Sequence, residues 1–473
     1  MYKVNMAPMQ TLNGMPRNFA PRKEERLGLT MEEEEKKKII EAAVCPFCAC
    51  LCDDVVISVD VAGNKIKEIR NACKFGVEKF LSAEKTERRL KKPRVNGKET
   101  DYERAIGEAV DILRTAKKPL VYGLSNSCYN AQRVALEIAK LKKGVYDVTE
   151  SICHNLLYSE LKKGNNPFYY ALLDEIRDNA NVVIYWGSNP IESHPRHLSK
   201  FAVYPIGRYA MKGVLDREMI TIDVVDSELN KISRWFLRVK PGTGEDAKIA
   251  EIMKRLVKGE TNGLRELVED EIDFDTVVKL TDRLKNAFYG VIFVGLGVFS
   301  SENASKKVEA ILSLVDALNK EGVKFVLFPM KGHFNVVGAV QLLLRETGYP
   351  FGVDFSRDSD RIFEPGRTTV LDVIERGAVD AALIVGADPF SSFPKDTAMK
   401  LHDMPVIVID PFESPTTQFA SVVFPTAITG VETDAIAYRM DGLPLKLDKI
   451  VDCEYLSDNE ILERIYEGLV GSL

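Results

Sequence analysis

The apolar residues of this chain gather into short unbroken runs: PLVYGL from Pro119, VVIYWG from Val182, MITIDVV from Met219, GVIFVGLG from Gly290, KFVLFP from Lys324, AALIVGAD from Ala381 and PVIVID from Pro405. Mostly apolar runs of this length predict strands buried on both faces. Between them, windows 131–140, 246–258 and 307–320 carry apolar residues at helical spacing. Short buried strands alternating with helices predict parallel sheets covered on both sides, so at least two doubly wound α/β units are expected. In such units ligands sit where the carboxyl ends of the strands turn into loops.

The amino-terminal part has a different rhythm. VVISVD and KIKEI alternate apolar and polar residues on either side of a turn at Gly63 and Asn64, which predicts a small β-hairpin. Ahead of it, residues 1–38 show no sustained apolar period and end in the charge block EEEEKKK from Glu32. The expected organisation is an extension over 1–43, flexible or binding a partner, a small cap over 44–100, and Rossmann-like units over 101–473 with a discontinuous split near 180–285.

Composition excludes several classes. With 45% hydrophobic and 28% charged residues over 473 positions, this is an ordinary globular chain. A net charge of -6 without a basic stripe argues against nucleic acid as a partner. No stretch of about eighteen apolar residues predicts membrane insertion, and no signal peptide is evident. Eight cysteines in a chain of this size imply free thiols in a reducing, cytoplasmic setting.

Four of those cysteines, Cys45, Cys48, Cys52 and Cys73, follow the pattern C-x2-C-x3-C-x20-C. Three thiolates in one turn with a fourth from further along suit a 4Fe–4S cluster, and a structural zinc stays open on spacing alone. Cys50 lies in the same turn as a bystander. Downstream, five strand-end loops carry unusual residues: WGSNPIESHPRH, GLGVFSS, FPMKGHFNVVGA, GADPFSSFP and DPFESPTT. Each alone is an ordinary turn, since Asn-Pro and Asp-Pro favour turns; together they point to one large ligand.

The cluster turn, the Cys153, His154 pair, GSNPIESHPRH, MKGHFNVVGA and AYRMDGLPLKL resemble, in order and from about Val44 onward, the B-type subunit of the tungsten- or molybdenum-dependent formylmethanofuran dehydrogenases. These belong to the molybdopterin oxidoreductase superfamily. The resemblance implies a cluster-binding cap joined to Rossmann-like domains that hold two pyranopterin guanine dinucleotides around one tungsten or molybdenum. It implies reversible reduction of carbon dioxide to formate. It also implies partners: an amidohydrolase-type subunit that condenses formate with methanofuran, a β-barrel subunit that covers the pterins, and polyferredoxin-like subunits that deliver electrons. Two other readings remain, a different molybdopterin oxidoreductase such as a formate dehydrogenase, and a silent cluster-bearing scaffold.

Residue by residue, the resemblance makes Cys153 the protein ligand of the metal, a soft thiolate suited to tungsten or molybdenum. His154 would exchange protons beside it, and His333 would join the site. Lys331 stands where the family usually has arginine, exchanging a planar fork for a point charge. Asn189, His194 and Arg196 match the pterin-binding loop; Asp226 and Asp388 would serve the two nucleotides, with Gly297 in a weak Gly-x-Gly turn. Asn155, Ser188, Ala435 and Ile436 depart from the usual residues, as in a diverged paralogue. Of the remaining side chains, His402 looks incidental and Cys128 and Cys453 look structural.

Overall fold

A computed structural model describes residues 37–471 apart from 86, 268–272, 300–302 and 358–360. The strands, in chain order, are β1 (Lys37–Ala43), β2 (Val55–Asp60), β3 (Lys65–Arg70), β4 (Arg94–Val95), β5 (Lys98–Glu99), β6 (Pro119–Gly123), β7 (Val145–Val148), β8 (Val182–Trp186), β9 (Glu218–Asp223), β10 (Trp235–Arg238), β11 (Gly290–Val294), β12 (Phe325–Pro329), β13 (Val353–Asp354), β14 (Ala381–Val385), β15 (Val406–Ile409), β16 (Val422–Phe424), β17 (Ala435–Tyr438) and β18 (Pro444–Leu447).

Two doubly wound units are present, as the buried runs predict. One sheet has the order β13-β7-β6-β14-β15-β16-β4-β5; the other has the order β10-β9-β8-β11-β12. Every pairing in the second sheet is parallel, whereas the first closes with antiparallel edges at β13 and at β4 and β5. The inner strands are enclosed on both faces, with Val121, Val183, Ile292, Leu383 and Ile407 fully buried. Each such side chain contributes about 1.5–3 kcal/mol. Over the second sheet, helix Glu245–Val257 packs on helix Ala304–Lys320 through Ile249, Met253, Leu312 and Val315. The strands of that sheet run from Val182 to Pro329, past the 285 at which the expected split closed.

Both sheets reverse their strand order at one point. β6 lies between β7 and β14, and β8 lies between β9 and β11, so each unit opens a crevice at its strand ends. The same turn leaves both sheets: Gly187-Ser188-Asn189-Pro190 after β8 and Gly386-Ala387-Asp388-Pro389 after β14. The two glycines have φ of 57° and 58°, a left-handed conformation that side chains disfavour. Asn189 and Asp388 then stand at the N-caps of the short helices Pro190–Ser193 and Pro389–Ser392, each with proline in its first turn.

The cap is a sheet of order β1-β2-β3, antiparallel throughout. It starts at Lys37, ahead of the Val44 boundary expected from the pattern, because the charged strand β1 pairs with β2 from Lys37 opposite Asp60 onward. The rest of the expected extension lies outside the described residues. Val55, Ile57 and Phe80 from the cap region share one core with Ile176, Phe201 and Val431. The cysteine turn is tied to the body by two backbone bonds, Ala49 N–H to the Gly332 carbonyl at 3.1 Å and Met440 N–H to the Ala49 carbonyl at 2.8 Å.

Candidate active site

Cys153 ends the short helix Glu150–Cys153, which follows β7 after Thr149. Asp147, fully buried in β7, fixes this helix: its carboxylate accepts from Ser151 Oγ at 2.7 Å and from the N–H groups of Gly352 and Val370 at 2.8 and 2.6 Å. Cys153 lines a cavity of about 440 Å³ with Thr149, Tyr122, His333, Asp388 and Asp410. Burial, and then the nearby Glu150, push its thiol up to about 11. A bound metal cation would reverse that preference.

Glu150 is the hub of the charges here. Its Oε2 lies 3.2 Å from His154 Nδ1, and its Oε1 lies 3.1 Å from Lys331 Nζ. Lys331, on the loop after β12, also donates to Tyr158 Oη at 2.8 Å. Burial opposes the charge on Glu150, but Lys331 and His154 outweigh it and hold the carboxyl at about 2. Likewise burial opposes the Lys331 ammonium, and Glu150 with Tyr158 keeps it above the ordinary lysine range. With Nδ1 against the carboxylate, His154 leaves a buried Nε2 that has no hydrogen-bond partner among the described residues. Phe299 packs on that ring edge-on, 4.9 Å between centroids.

His194 and His333 brace the same loop. His194 Nε2 donates to the Lys331 carbonyl at 2.8 Å, its Nδ1 is 2.8 Å from Ser193 Oγ, and burial pushes it down to about 4. His333 Nδ1 sits 3.3 Å from Thr149 Oγ1, itself 2.7 Å from Ser125 Oγ; burial lowers this histidine too.

A second cavity of about 470 Å³ reaches back to Phe47, Cys48 and Lys79. The two cavities share Asn126, His333, Gly386 and Asp410 in their walls, and this adjoining pair runs from the cysteine turn to Cys153. It opens at the carboxyl ends of β6, β14 and β15, at the switch point of the first sheet. Burial raises Asp410 to about 6 against the pull of Lys79, while burial lowers Lys79 against the pull of Asp410 and Cys45.

Cys45, Cys48, Cys52 and Cys73 line one pocket at the cap, with Cys50 and Arg196 beside them. Cys73 caps helix Lys74–Leu81, its sulfur accepting the Gly76 N–H at 3.4 Å. A Cβ on Gly76 would stand 3.0 Å from Cys45 Sγ and 3.8 Å from Cys73 Sγ, so the glycine keeps room for both sulfurs. Burial, then Cys48, push Cys52 up to about 12, and Arg196 and Lys200 pull the other way. Among the described residues, no three histidine, cysteine or acidic side chains converge on a single-ion site.

The remaining expected residues divide. Asp388 faces the Cys153 cavity, with its Oδ1 accepting the Thr416 N–H at 3.2 Å. Asn189 caps its short helix through a bond from the Ile191 N–H. Arg196, expected in the pterin-binding loop, lies at the cysteine pocket, where Asp54 engages its guanidinium with both oxygens at 2.6 and 2.7 Å. Asp226 is exposed and bonds Asn230. Gly297 packs against the Gly187 loop and gives its N–H to the Gly187 carbonyl at 3.0 Å, so that amide is not free for a phosphate. Glu150, Tyr158 and Lys79 do not stand out in the sequence; Glu150 carries a signal only in standing four residues before His154, on one helical face.

The family model for molybdopterin oxidoreductases matches residues 105–467. Two relatives are the B-type subunits of tungsten-containing formylmethanofuran dehydrogenase 2. The one from Methanocaldococcus jannaschii is 37% identical over 90% of this chain and 97% of the relative, and the one from Methanococcus maripaludis is 34% identical over 90% and 98%. The chain belongs to the molybdopterin oxidoreductase family, within the formylmethanofuran dehydrogenase branch. It is an oxidoreductase, and the family accounts for a pterin-bound molybdenum or tungsten centre. Two solved structures share the molybdopterin oxidoreductase fold. The formyltransferase/hydrolase complex from Methylorubrum extorquens has a TM-score of 0.64 at 22% identity, covering 80% of this chain and 99% of that one. Acetylene hydratase from Pelobacter acetylenicus has a TM-score of 0.67 at 14% identity, covering 91% and 69%.

Proposed function

We propose that this chain is the redox subunit of a formylmethanofuran dehydrogenase complex, reversibly reducing carbon dioxide to formate that is passed on for formylation of methanofuran. The observation that carries this is that the Cys153 cavity adjoins, through shared walls, the cavity reaching Phe47 and Cys48 of the cysteine turn. Cys153 would ligate tungsten or molybdenum, and Cys45, Cys48, Cys52 and Cys73 would hold a 4Fe–4S cluster. Three cysteines in one turn at x2 and x3 spacing, with Cys73 arriving from further along the chain, favour a cluster over zinc. The matched turns at Gly187 and Gly386 support two pyranopterin guanine dinucleotides, one for each sheet. Held there, a pterin-bound metal would supply two-electron chemistry at carbon and a cluster would supply one-electron transfer.

The chain itself positions and insulates. Asp147 holds the helix that presents Cys153, and Glu150 sets the His154 ring so that Nε2 is the atom left to accept a proton. Asp388 and Asp410 lie on the cleft as acceptors for a base or ribose. Partners would be an amidohydrolase-type subunit, a β-barrel subunit over the pterins and polyferredoxin-like subunits, in line with the assemblies named for the relatives and the fold neighbour. Among the described residues no helix is long and apolar enough to cross a membrane; free thiols at the cap fit a cytoplasmic complex.

Elemental analysis with cofactor extraction from the native complex tests this. About four iron atoms per chain together with tungsten or molybdenum and pterin are expected. Iron without tungsten, molybdenum or pterin would establish the scaffold alternative instead.

A further inference from the structure

The family position of Lys331 suggests a cation for a substrate carboxylate, yet its charge is already engaged. The Lys331 and Glu150 side chains are 8% and 1% exposed, 3.1 Å apart, and Tyr158 Oη takes another direction of the ammonium at 2.8 Å. His194 holds the Lys331 carbonyl, which fixes the backbone from which the amine reaches Glu150. Lys331 is absent from the residues that line the Cys153 cavity, where the ionisable neighbours are Asp388, Asp410, Tyr122 and His333. Among the described residues, the one lysine or arginine on the walls of the two adjoining cavities is Lys79, in the one that reaches the cysteine turn.

An anion arriving beside Cys153 therefore meets no free cation among the described residues of the wall, and it meets the carboxyl groups of Asp388 and Asp410 as like charges. Carbon dioxide, neutral and linear, incurs neither penalty. We propose that Glu150 is a specificity-determining residue: by sequestering Lys331 it makes the protein wall beside Cys153 favour the neutral one-carbon substrate and release the anionic one. This deepens the proposed carbon dioxide and formate function and rests on it.

The test uses the whole complex with formate and azide as anionic probes, their binding read by calorimetry and formate KM by a dye-linked assay. Glu150→Gln frees the ammonium while keeping side-chain shape, and is expected to tighten both anions about tenfold or more, the scale of one charge-assisted hydrogen bond. The double variant Glu150→Gln/Lys331→Met removes both charges at similar volume and is expected to bind formate within about threefold of wild type, as replacing a whole buried pair is far milder than breaking one. Unchanged anion affinity in Glu150→Gln overturns the proposal. So does an about tenfold or greater loss in the double variant, which would make Lys331 a formate ligand. If the wild-type complex does not oxidise formate, the assigned reaction fails, while azide still reports on the charge pair.

Discussion

Cys48 and His333 face each other in an isolated antiparallel backbone bridge, so the cysteine turn and the loop carrying Lys331 form one rigid unit. Any group held by the cysteines is thereby fixed relative to the cleft that ends at Cys153. The bonds from Ala49 to Gly332 and from Met440 to Ala49 reinforce the same junction. Three segments far apart in the chain meet there.

Replacing Cys153 with alanine removes the sulfur from the cleft wall but leaves the distant cysteine pocket untouched. Turnover should vanish while iron content holds. A variant that retains activity and a full complement of tungsten or molybdenum would refute the ligand assignment.

Gly76→Ala tests the cap in a graded way. On helix propensity alone, alanine should stabilise by up to about 1 kcal/mol. Its Cβ would instead press on Cys45 Sγ at 3.0 Å, and overpacking of this kind costs about 1–3 kcal/mol. Reduced iron per chain with a lower melting temperature is expected; a more stable variant with normal iron would show that the pocket tolerates the methyl group.

The low pKa of His194 gives a pH signature. Burial holds it at about 4 in the fold against an ordinary 6.5, so below 6.5 the unfolded chain binds a proton that the folded chain refuses. Stability from this group is complete above about pH 6.5 and is lost as pH falls toward about 4, by up to about 3 kcal/mol at about 1.36 kcal/mol per unit. Melting temperature should therefore fall more steeply over this interval in wild type than in His194→Gln. Identical slopes would mean that the buried imidazole is not refusing the proton.

Arg439 sits 1% exposed between Asp441 and Asp174, with Nη2 2.6 Å from each carboxylate. Arg439→Met leaves Asp441 buried with only the Leu173 N–H and its own turn for company. Breaking a buried pair in this way costs about 3–5 kcal/mol, visible as a lower urea midpoint. A shift below about 1 kcal/mol would mean that Asp441 reaches water.

Much of the architecture is legible in the chain. The seven apolar runs are β6, β8, β9, β11, β12, β14 and β15, because short, mostly apolar runs suit a strand covered on both sides. Strand Val145–Val148 gives no such signal, because its Asp147 looks polar; that carboxylate is satisfied by donors from Gly352 and Val370, which no local pattern reveals. Strand β1 is mostly exposed and charged, and only its pairing with β2 makes it a strand.

Sequence by itself determined the strand and helix rhythm, the C-x2-C-x3-C spacing and the family, since these depend on near neighbours or on motif order. Tertiary structure alone decided that Lys331 answers to Glu150, that Arg196 turns to Asp54 at the cysteines, and that Gly297 gives its amide to Gly187. The reason is physical: a buried charge or donor takes the partner that folding brings within about 3 Å, and that choice is made by chain segments whose separation in sequence carries no information about their contact.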